Sequence, residues 1–600
     1  MNKIKQLTTI LLALILTISI SGCSNQNSGD ADKTQTEFDQ FIEQEFIDTM
    51  ESDYTSLHSF IENPENFGID LNNVEIGFGS GYSEEELEEA KKTTEETAER
   101  FAEFDRDLLT AKQQETYDIY QNTLELALES NDDKYDYIAP AFETATGAYC
   151  QIPTMLTDWT VRNEQDVKDL ITLVDDTDRY IQSLLDYLKV QEEKDTLSIN
   201  VNDVVEYCQG IIDAKDNSPI LQALNEKIDA LNLDENQKNT YKQQLSTTFN
   251  DSFITAYQNI IDTVNGLNKN KINDGGLANI ENGKKYYQLL LQNATASSKT
   301  VTEIQSEFED AMDDCLKEMQ SLIISNPSIS SVVQNNFGSI KTNYNSYEEM
   351  MQDLATEIQE DFPDIGTIDY QIAQIDPSLA NNSVAAYYNL PALDSKAANQ
   401  IRVNSDNNEI DISAVDTFQT IAHEGLPGHM YQVNYSYLNL DNNYRKVLAS
   451  NPSYQEGWAV YVQYYCNKYL SQQVNSDILE LMKYNNIYSY YAMILCDIGI
   501  HYEGWDLDEF KDNLADLGFV INDDDSLELQ YNQLKDNPTI FVPYYYGYLQ
   551  FSNLETTAKE ELGNKFNDIE FHEALLTSGC APFTIVEKNV ENYIETNKEL

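Results

Sequence analysis

Two histidines and two glutamates in the C-terminal part of the chain have the types and spacing of a hydrolytic metal site. The 600-residue sequence holds only five histidines, yet His423-Glu424 and His429 fall within seven residues of one another. Glu456 follows in a separate apolar segment. A zinc hydrolase needs three protein ligands and an open position for water. His423, His429 and Glu456 could supply the ligands, and Glu424 could accept the proton of that water.

The spacing of the two histidines departs from the usual zinc-peptidase pattern. The segment begins like H-E-x-x-H, but its second histidine stands at i+6 rather than i+4. On an unbroken helix, these two imidazoles would lie about 120° apart and could not share a metal. Pro427 and Gly428 stand between them, and a helix that ends there could bring His429 beside His423. The alternative is a helix end with incidental polar residues.

The elements that position these residues are predicted to be helices. The 23 glycines and 13 prolines are about half the usual share of helix breakers in a chain of 600 residues. Apolar residues recur at helical spacing from Phe38 to Ile61, and residues 83–86 and 302–305 are typical of helix capping boxes. We therefore predict a mainly α fold, with two helical lobes around a cleft.

A small β-hairpin is expected just upstream of the candidate site. Its strands are predicted at Val384–Asn389 and Gln400–Val403, which are joined by a loop with proline, aspartate and serine. Residues 37–600 are interpreted as one helical catalytic unit. Its N-terminal helical lobe is expected at about 37–330, and its metal-site lobe at about 331–600.

The N-terminus indicates export. Two lysines precede an apolar run, Leu7–Ile20, which is too short for a comfortable membrane span and fits a signal peptide over residues 1–22. Small residues directly before Cys23 resemble the bacterial lipobox, which implies cleavage and acylation at Cys23. Residues 23–36 are then expected to form a lipidated, flexible tether to the outer face of the cell membrane. The alternative is an ordinary signal peptide with an incidental cysteine.

Composition excludes several classes of protein. There are 37 Lys+Arg against 103 Asp+Glu, and this net charge of −66 repels phosphate backbones, so we expect no nucleic-acid partner. A hydrophobic fraction of 41% is too high for a disordered acidic chain. The six cysteines after Cys23 are scattered without a C-x-x-C pair, so a cysteine metal site is not indicated, and buried free thiols are expected.

Five motifs in order resemble a large bacterial family, the domain of unknown function 885, which itself resembles gluzincin-type, mostly helical metallopeptidases. The resemblance extends from about residue 36 to the end of the chain. The motifs are H-E-x-x-P-G-H at His423–His429, E-G-W-A at Glu456–Ala459, D-x-G-x-H with a following G-W at Asp497–Trp505, Y-x-x-G at Tyr544–Gly547 and the F-H to P stretch at Phe571–Pro582.

The resemblance implies His423, His429 and Glu456 as zinc ligands and Glu424 as the general base. His501 and Tyr544 become candidates to donate hydrogen bonds to a tetrahedral oxyanion.

Both of these last candidates have alternatives. His501 could be a core histidine, and Tyr544 has two tyrosine neighbours that could replace it. For His572 we favour a structural role. The chain also departs from many relatives at Met430, Gln463 and Glu555.

These observations predict a membrane-anchored, extracytoplasmic, zinc-dependent metallopeptidase-like hydrolase with peptides as its substrates. Two alternatives stay open: a lipoprotein that binds peptides or metal without turnover, and a zinc hydrolase of another small amide. Imidazole and carboxylate ligands suit zinc but also accept other first-row metal ions.

Overall fold

The fold is mainly α, as predicted. The structure, a computed structural model, describes residues 26–333, 337, 340–375, 385–404, 410–519 and 523–599. The predicted signal segment 1–22 and Cys23 lie outside these residues. Within the described part of the chain, no helix combines the length and apolar character needed to cross a membrane.

The helices follow one another along almost the whole described chain. Those of the first half are α1 (Gln26–Ser52), α2 (Tyr54–Phe60), α3 (Glu84–Phe101), α4 (Ala111–Ser130), α5 (Ala148–Asp158), α6 (Glu164–Lys194), α7 (Val201–Asp213), α8 (Pro219–Ala230), α9 (Glu235–Thr248), α10 (Ile254–Gly266), α11 (Gly283–Thr295) and α12 (Val301–Ser325). Those of the second half are α13 (Ser330–Val333), α14 (Tyr347–Glu357), α15 (Val415–Glu424), α16 (His429–Asn439), α17 (Pro452–Tyr465), α18 (Ser476–Ile498), α19 (Leu507–Asp516), α20 (Asp524–Asp536), α21 (Val542–Leu562), α22 (Asp568–Leu576) and α23 (Phe583–Glu599).

The capping signals are confirmed at one helix and displaced at the other. Ser83 and Glu86 form the predicted capping box at the start of α3. At α12 the box is made by Thr300 and Glu303, two residues before the predicted cap at residue 302. Glu303 reaches back to the backbone N–H of Thr300, so the helix starts one half-turn earlier.

Residues 26–36, which the sequence predicted as part of a flexible tether, form the first turns of α1. This segment is polar, but it continues directly into the apolar stripe that begins at Phe38. The side-chain amide of Gln35 donates to the carbonyl of Leu108, which fixes the segment to the loop before α4. Helix propagation and this contact outweigh the polar composition.

A three-stranded sheet contains the predicted hairpin and one strand that the sequence did not indicate. β2 (Ala386–Asn389) pairs antiparallel with β3 (Asn399–Val403), as predicted, although Val384 lies outside the described residues. β1 (Tyr370–Gln374) pairs with β3 in parallel. The strand order is β1-β3-β2, so β2 is an edge strand among the described residues.

The core of the described chain consists of several clusters of buried side chains. One cluster holds only residues between Tyr54 and Leu267. The largest combines residues of α11, α12 and the segments that follow with the C-terminal helices. The division into two lobes near residue 330 stays a prediction. Six described cysteines are free thiols, four of them buried, as expected.

Candidate metal centre

The helix break between the two histidines is the feature that assembles the site. α15 ends at Glu424, and α16 begins at His429. The N–H of Gly428 turns back to donate to the carbonyl of Ala422 at 3.0 Å. A Cβ at Gly428 would lie 1.8 Å from the carbonyl oxygen of His423, so no other residue fits this turn. The predicted helix break, which can bring the two histidines together despite their i+6 spacing, is therefore present.

The turn brings His429 next to His423, and Glu456 of α17 meets both. The Nε2 atoms of His423 and His429 lie 3.7 and 3.4 Å from Oε2 of Glu456. One ligand atom from each residue falls within 4.8 Å of the others. Burial alone would raise the pKa of Glu456, but the two imidazoles outweigh it and hold the pKa well below its usual range.

These three residues fit a zinc ion by donor type and spacing. Ligands at about 2.0–2.1 Å from a tetrahedral zinc lie roughly 3.3 Å apart, close to the two separations observed. The side chains of His423 and His429 are 13% and 18% exposed, and that of Glu456 is 28% exposed, so water can reach the cluster. The donor set, two imidazoles and one carboxylate, leaves a coordination position for that water.

A second layer of hydrogen bonds orients the ligands. Nδ1 of His423 donates to Oε1 of Gln463 at 2.9 Å, which leaves Nε2 facing Glu456. Gln463 stands two helical turns after Glu456 in α17, and this i+7 spacing was the signal that could have indicated its role. Nε1 of Trp458 donates to the carbonyl of Pro427 at 2.9 Å and holds the turn against α17.

Glu424 lies beside the cluster without joining it. Its Oε2 accepts a hydrogen bond of 2.9 Å from the backbone N–H of Tyr388 in β2. Burial raises the pKa of Glu424 to about 7; the nearby His423 opposes this rise and the charge of Glu456 adds to it. A carboxyl group with a pKa near neutrality can both accept and release a proton.

A close crossing of α17 and α21 brings Tyr544 to the site. A Cβ at Gly457 would lie 2.3 Å from Cα of Gly547, and one at Gly547 would lie 1.7 Å from the carbonyl oxygen of Ser453. Tyr544 stands one turn before Gly547, and its ring centroid lies 6.3 Å from that of His423. Burial, followed by the charges of Glu456 and Glu424, raises the pKa of Tyr544, so its hydroxyl keeps its proton.

The side chains of the two neighbouring tyrosines make other contacts. Tyr545 is buried and stacks on Tyr490, with ring centroids 4.3 Å apart. Tyr546 is buried, and Lys299 lies over its ring. Of the three candidates, Tyr544 is the one that the structure brings next to a histidine of the cluster.

The structure does not bring His501 to the cluster, and its contacts correct the prediction of a catalytic role. The ring is 1% exposed. Its Nδ1 accepts from the N–H of Leu277 at 3.1 Å, and its Nε2 donates to the carbonyl of Leu534 at 3.0 Å. Both nitrogens are thus used by backbone groups, and no donor is left for a substrate. Burial lowers the pKa of His501 to about 4, so it is neutral.

His572 has the structural role that the sequence favoured. Its Nδ1 donates to the carbonyl of Asp361 at 2.7 Å, and its Nε2 lies 3.0 Å from the hydroxyl of Tyr461. The ring stacks on Phe362, with centroids 4.1 Å apart. This histidine joins α22 to the segment after α14.

Comparison with solved structures finds the same fold in two bacterial proteins. A protein described as a "putative lipoprotein" from Colwellia psychrerythraea matches with a TM-score of 0.79 and 16% identity, over 94% of this chain and 99% of its own. A "putative lipoprotein of unknown function" from Shewanella oneidensis matches with a TM-score of 0.61 and 13% identity, over 92% of this chain and 99% of its own.

Other comparisons are less informative about activity. The TM-score of 0.31 to a protein described as a "putative oligoendopeptidase F" from Bacillus anthracis is too low to indicate a common fold. No curated protein matches the chain. A family model does match, over residues 77–590, and it includes the turn, the ligand cluster and the α17–α21 crossing. The chain therefore belongs to the family of bacterial proteins of unknown function called DUF885.

Proposed function

We propose that this protein is a zinc-dependent hydrolase that cleaves peptides. The observation that carries the proposal is the convergence of His423, His429 and Glu456, with a fourth side chain, Glu424, held beside them but outside the ligand set. A structural zinc site uses all four positions for protein ligands, whereas a catalytic site keeps one open. A cluster of three ligands with a carboxyl group outside the ligand set therefore supports a catalytic site over a structural one.

His423, His429 and Glu456 would hold the metal, and a bound Zn²⁺ would supply Lewis acidity toward water and a peptide carbonyl. Glu424 accepts a proton from the attacking water and returns it to the leaving amine, a double role for which a pKa of about 7 is suited. The hydroxyl of Tyr544 donates a hydrogen bond to the oxygen that becomes negative in the tetrahedral intermediate.

The edge strand β2 supports a peptide as the substrate. Asn404 N–H donates to the Ala385 carbonyl of the neighbouring pair, so the antiparallel alternation directs the backbone groups of Ala386 and Tyr388 away from β3. The Tyr388 N–H already faces the site, because it binds Glu424. Because Glu424 occupies that N–H, an extended peptide would pair with this edge through the backbone groups of Ala386 and pass directly beside the base.

Membrane attachment through an acylated Cys23 on the extracytoplasmic side is part of the proposal. Two observations support it: the lipobox-like residues before Cys23, and the fold shared with two bacterial proteins that are described as lipoproteins. Mass spectrometry of the N-terminal peptide from the native host would identify the lipid. An unmodified cysteine, or cleavage elsewhere, would contradict this part.

The catalytic proposal is tested with purified full-length protein in detergent. Zinc content is measured by elemental analysis, and cleavage of a mixed peptide library by mass spectrometry, with and without a chelator. We expect about one zinc per chain and chelator-sensitive cleavage. Glu424→Gln should keep the zinc and lose cleavage, whereas the exposed Glu360→Gln should keep both.

The outcomes separate the proposal from its alternatives. Undiminished cleavage in Glu424→Gln would remove Glu424 from the mechanism. Peptides that bind the zinc form but remain uncut would favour a binding lipoprotein. Intact peptides together with turnover of small amides would favour a different hydrolase.

A further inference from the structure

A cavity of about 340 Å³ opens beside α15 and β2. Its walls are mostly apolar, with Val415 and Ile421 of α15 on one side and Met482 of α18 on another. Ala386 and Ala414 contribute small side chains that leave the space open. This volume is at the low end of the range of about 300–1,000 Å³ for small-ligand sites. It suits one side chain better than a whole ligand.

The position of the cavity along α15 connects it to the proposed base. Thr417, Thr420 and Ile421 line the cavity. Glu424 follows them at i+7, i+4 and i+3, so all four residues lie on one face of the helix. One turn of α-helix rises about 5.4 Å, so the cavity starts about one turn from Glu424.

The edge strand gives the same position independently. Ala386, which lines the cavity, precedes Tyr388 by two residues, and the Tyr388 N–H binds Glu424. Two residues of a strand span about 6.6 Å. The cavity therefore begins about one helical turn from the proposed base along α15 and about two residues from it along β2. It lies on the path of a peptide that pairs with β2.

We infer that this cavity receives an apolar side chain of the peptide, adjacent to the bond that is cut, and that it sets the enzyme's preference for large apolar or aromatic residues. The inference rests on the proposed peptidase function and adds its specificity. Because side chains of an extended peptide alternate between two sides, one residue beside the scissile bond projects into the cavity while its neighbour does not.

The charged groups at the cavity rim favour an apolar residue over a basic one. Nζ of Lys341 lies 2.9 Å from Oδ2 of Asp411, so these two charges compensate each other. Asp416 is the other acid of the lining, and although the residue reaches the surface, burial of its carboxyl group raises the pKa, an effect that the nearby Lys341 opposes. Surroundings that disfavour a charged carboxylate also disfavour a cationic side chain, whereas the apolar walls gain from every buried methylene group.

Two variants change the cavity in opposite directions. Ala414→Leu reduces its volume, and Met482→Ala enlarges it. A matched control is Ala398→Leu, since Ala398 is a half-buried alanine in the same region that does not line the cavity. Cleavage of a peptide series that varies one residue beside the scissile bond, from alanine to phenylalanine and lysine, gives the preference of each protein.

The wild type should prefer phenylalanine, and Ala414→Leu should lower the phenylalanine-to-alanine ratio of cleavage rates by about tenfold. Met482→Ala should keep or increase that ratio for the largest residues, and Ala398→Leu should match the wild type. An unchanged profile in Ala414→Leu, or a wild-type preference for lysine, would overturn the inference.

A binding measurement keeps this test independent of turnover. The Glu424→Gln protein, with and without Ala414→Leu, is titrated with fluorescent peptides that contain phenylalanine or alanine. Tighter binding of the phenylalanine peptide that Ala414→Leu abolishes would support the cavity even if no peptide were cut, and only the proposed catalysis would fail. Equal binding of both peptides would overturn the inference itself.

Discussion

Gln463 gives His423, one of the three proposed metal ligands, a neutral hydrogen-bond acceptor. A carboxylate in this position is common and increases the basicity of the imidazole. The amide oxygen of Gln463 still fixes the ring orientation and the proton on Nδ1. The residue thus positions the ligand without adding a negative charge next to Glu456.

We predict that Gln463→Ala weakens zinc binding by roughly 10–100-fold, because the ring of His423 loses its orienting partner. Gln463→Glu should bind zinc at least as tightly as the wild type. Affinity is measured by competition with a chromophoric chelator. The exposed Gln472→Ala serves as the control. An unchanged affinity in Gln463→Ala would show that the hydrogen bond does not support the metal.

Tyr544 allows a test within one run of tyrosines. We predict that Tyr544→Phe lowers the turnover number on the order of 100-fold with little change in zinc content, because one donor to the oxyanion is lost. Tyr545→Phe, whose ring is packed against Tyr490, should keep most of the turnover. Steady-state kinetics on one good peptide separates kcat from KM. Equal losses in both variants would contradict the assignment.

At the scale of residues, the sequence could predict which side chains lie together only where the signal was local. The histidines, the break at Pro427-Gly428 and Glu424 fall within one short segment, and elementary helix geometry is enough to combine them. His501 was different, because its partners Leu277 and Leu534 are distant in sequence. A histidine that binds two backbone groups has no motif of its own, so the sequence could not distinguish it from a catalytic one.

At the scale of elements, the contact between α17 and α21 determines where Glu456, a proposed metal ligand, and Tyr544, the proposed hydrogen-bond donor, lie. Both helices carry a glycine at the crossing, and the backbones meet without side chains between them. Each of the motifs E-G-W-A and Y-x-x-G therefore contains one residue of the candidate site, Glu456 or Tyr544. Each also contains one glycine of the helix crossing, Gly457 or Gly547. The sequence predicted the motifs, but it did not show that their glycines face each other.

We predict that Gly547→Ala destabilises the protein by about 3 kcal/mol or more, because its Cβ would overlap the carbonyl oxygen of Ser453. Zinc content should fall as the helices separate. Gly210→Ala in α7 is the control: apart from its chain neighbours and the backbone of its own helix, no atom lies within 4 Å of the added Cβ, so this variant should gain about 0.5–1 kcal/mol. Urea unfolding gives both values. Similar stabilities of the two variants would contradict the crossing.

The sheet shows the limit of prediction for elements. The antiparallel pair β2–β3 is close in sequence, and its strands were predicted to within two residues. β1 pairs directly and in parallel with β3, although β2 stands between them in the sequence. Parallel pairing depends on contacts that no local pattern encodes, so the sequence indicated a hairpin and not a sheet.

The whole molecule buries three of its five histidines as neutral rings: His58, His501 and His572. Burial is the first cause in each case and lowers the pKa to about 4. In the unfolded chain the same rings accept a proton near pH 6.5. Burial of the neutral rings therefore stabilises the folded protein fully above pH 6.5. This contribution to the free energy of unfolding is lost as the pH falls from 6.5 toward 4.

We predict that the stability advantage of the wild type over His572→Gln shrinks by about 2 kcal/mol between about pH 7.5 and pH 5, since glutamine does not titrate. The free energy of unfolding is measured in urea at both pH values. Taking the difference between the two proteins removes the effect of the many surface carboxylates, which are common to both. A difference that does not change with pH would show that the pKa of His572 is the same in the folded and the unfolded chain.

The contact between Gly457 and Gly547 also affects how members of this family can be interpreted. Neither glycine can change alone, because each occupies space that the other backbone requires, and this holds whether or not a metal is bound. A relative that lacked the histidines and glutamates of the cluster would still need both glycines to fold. The glycines of E-G-W-A and Y-x-x-G are thus a signature of the architecture. Whether a given relative is an enzyme has to be judged from its histidines and glutamates.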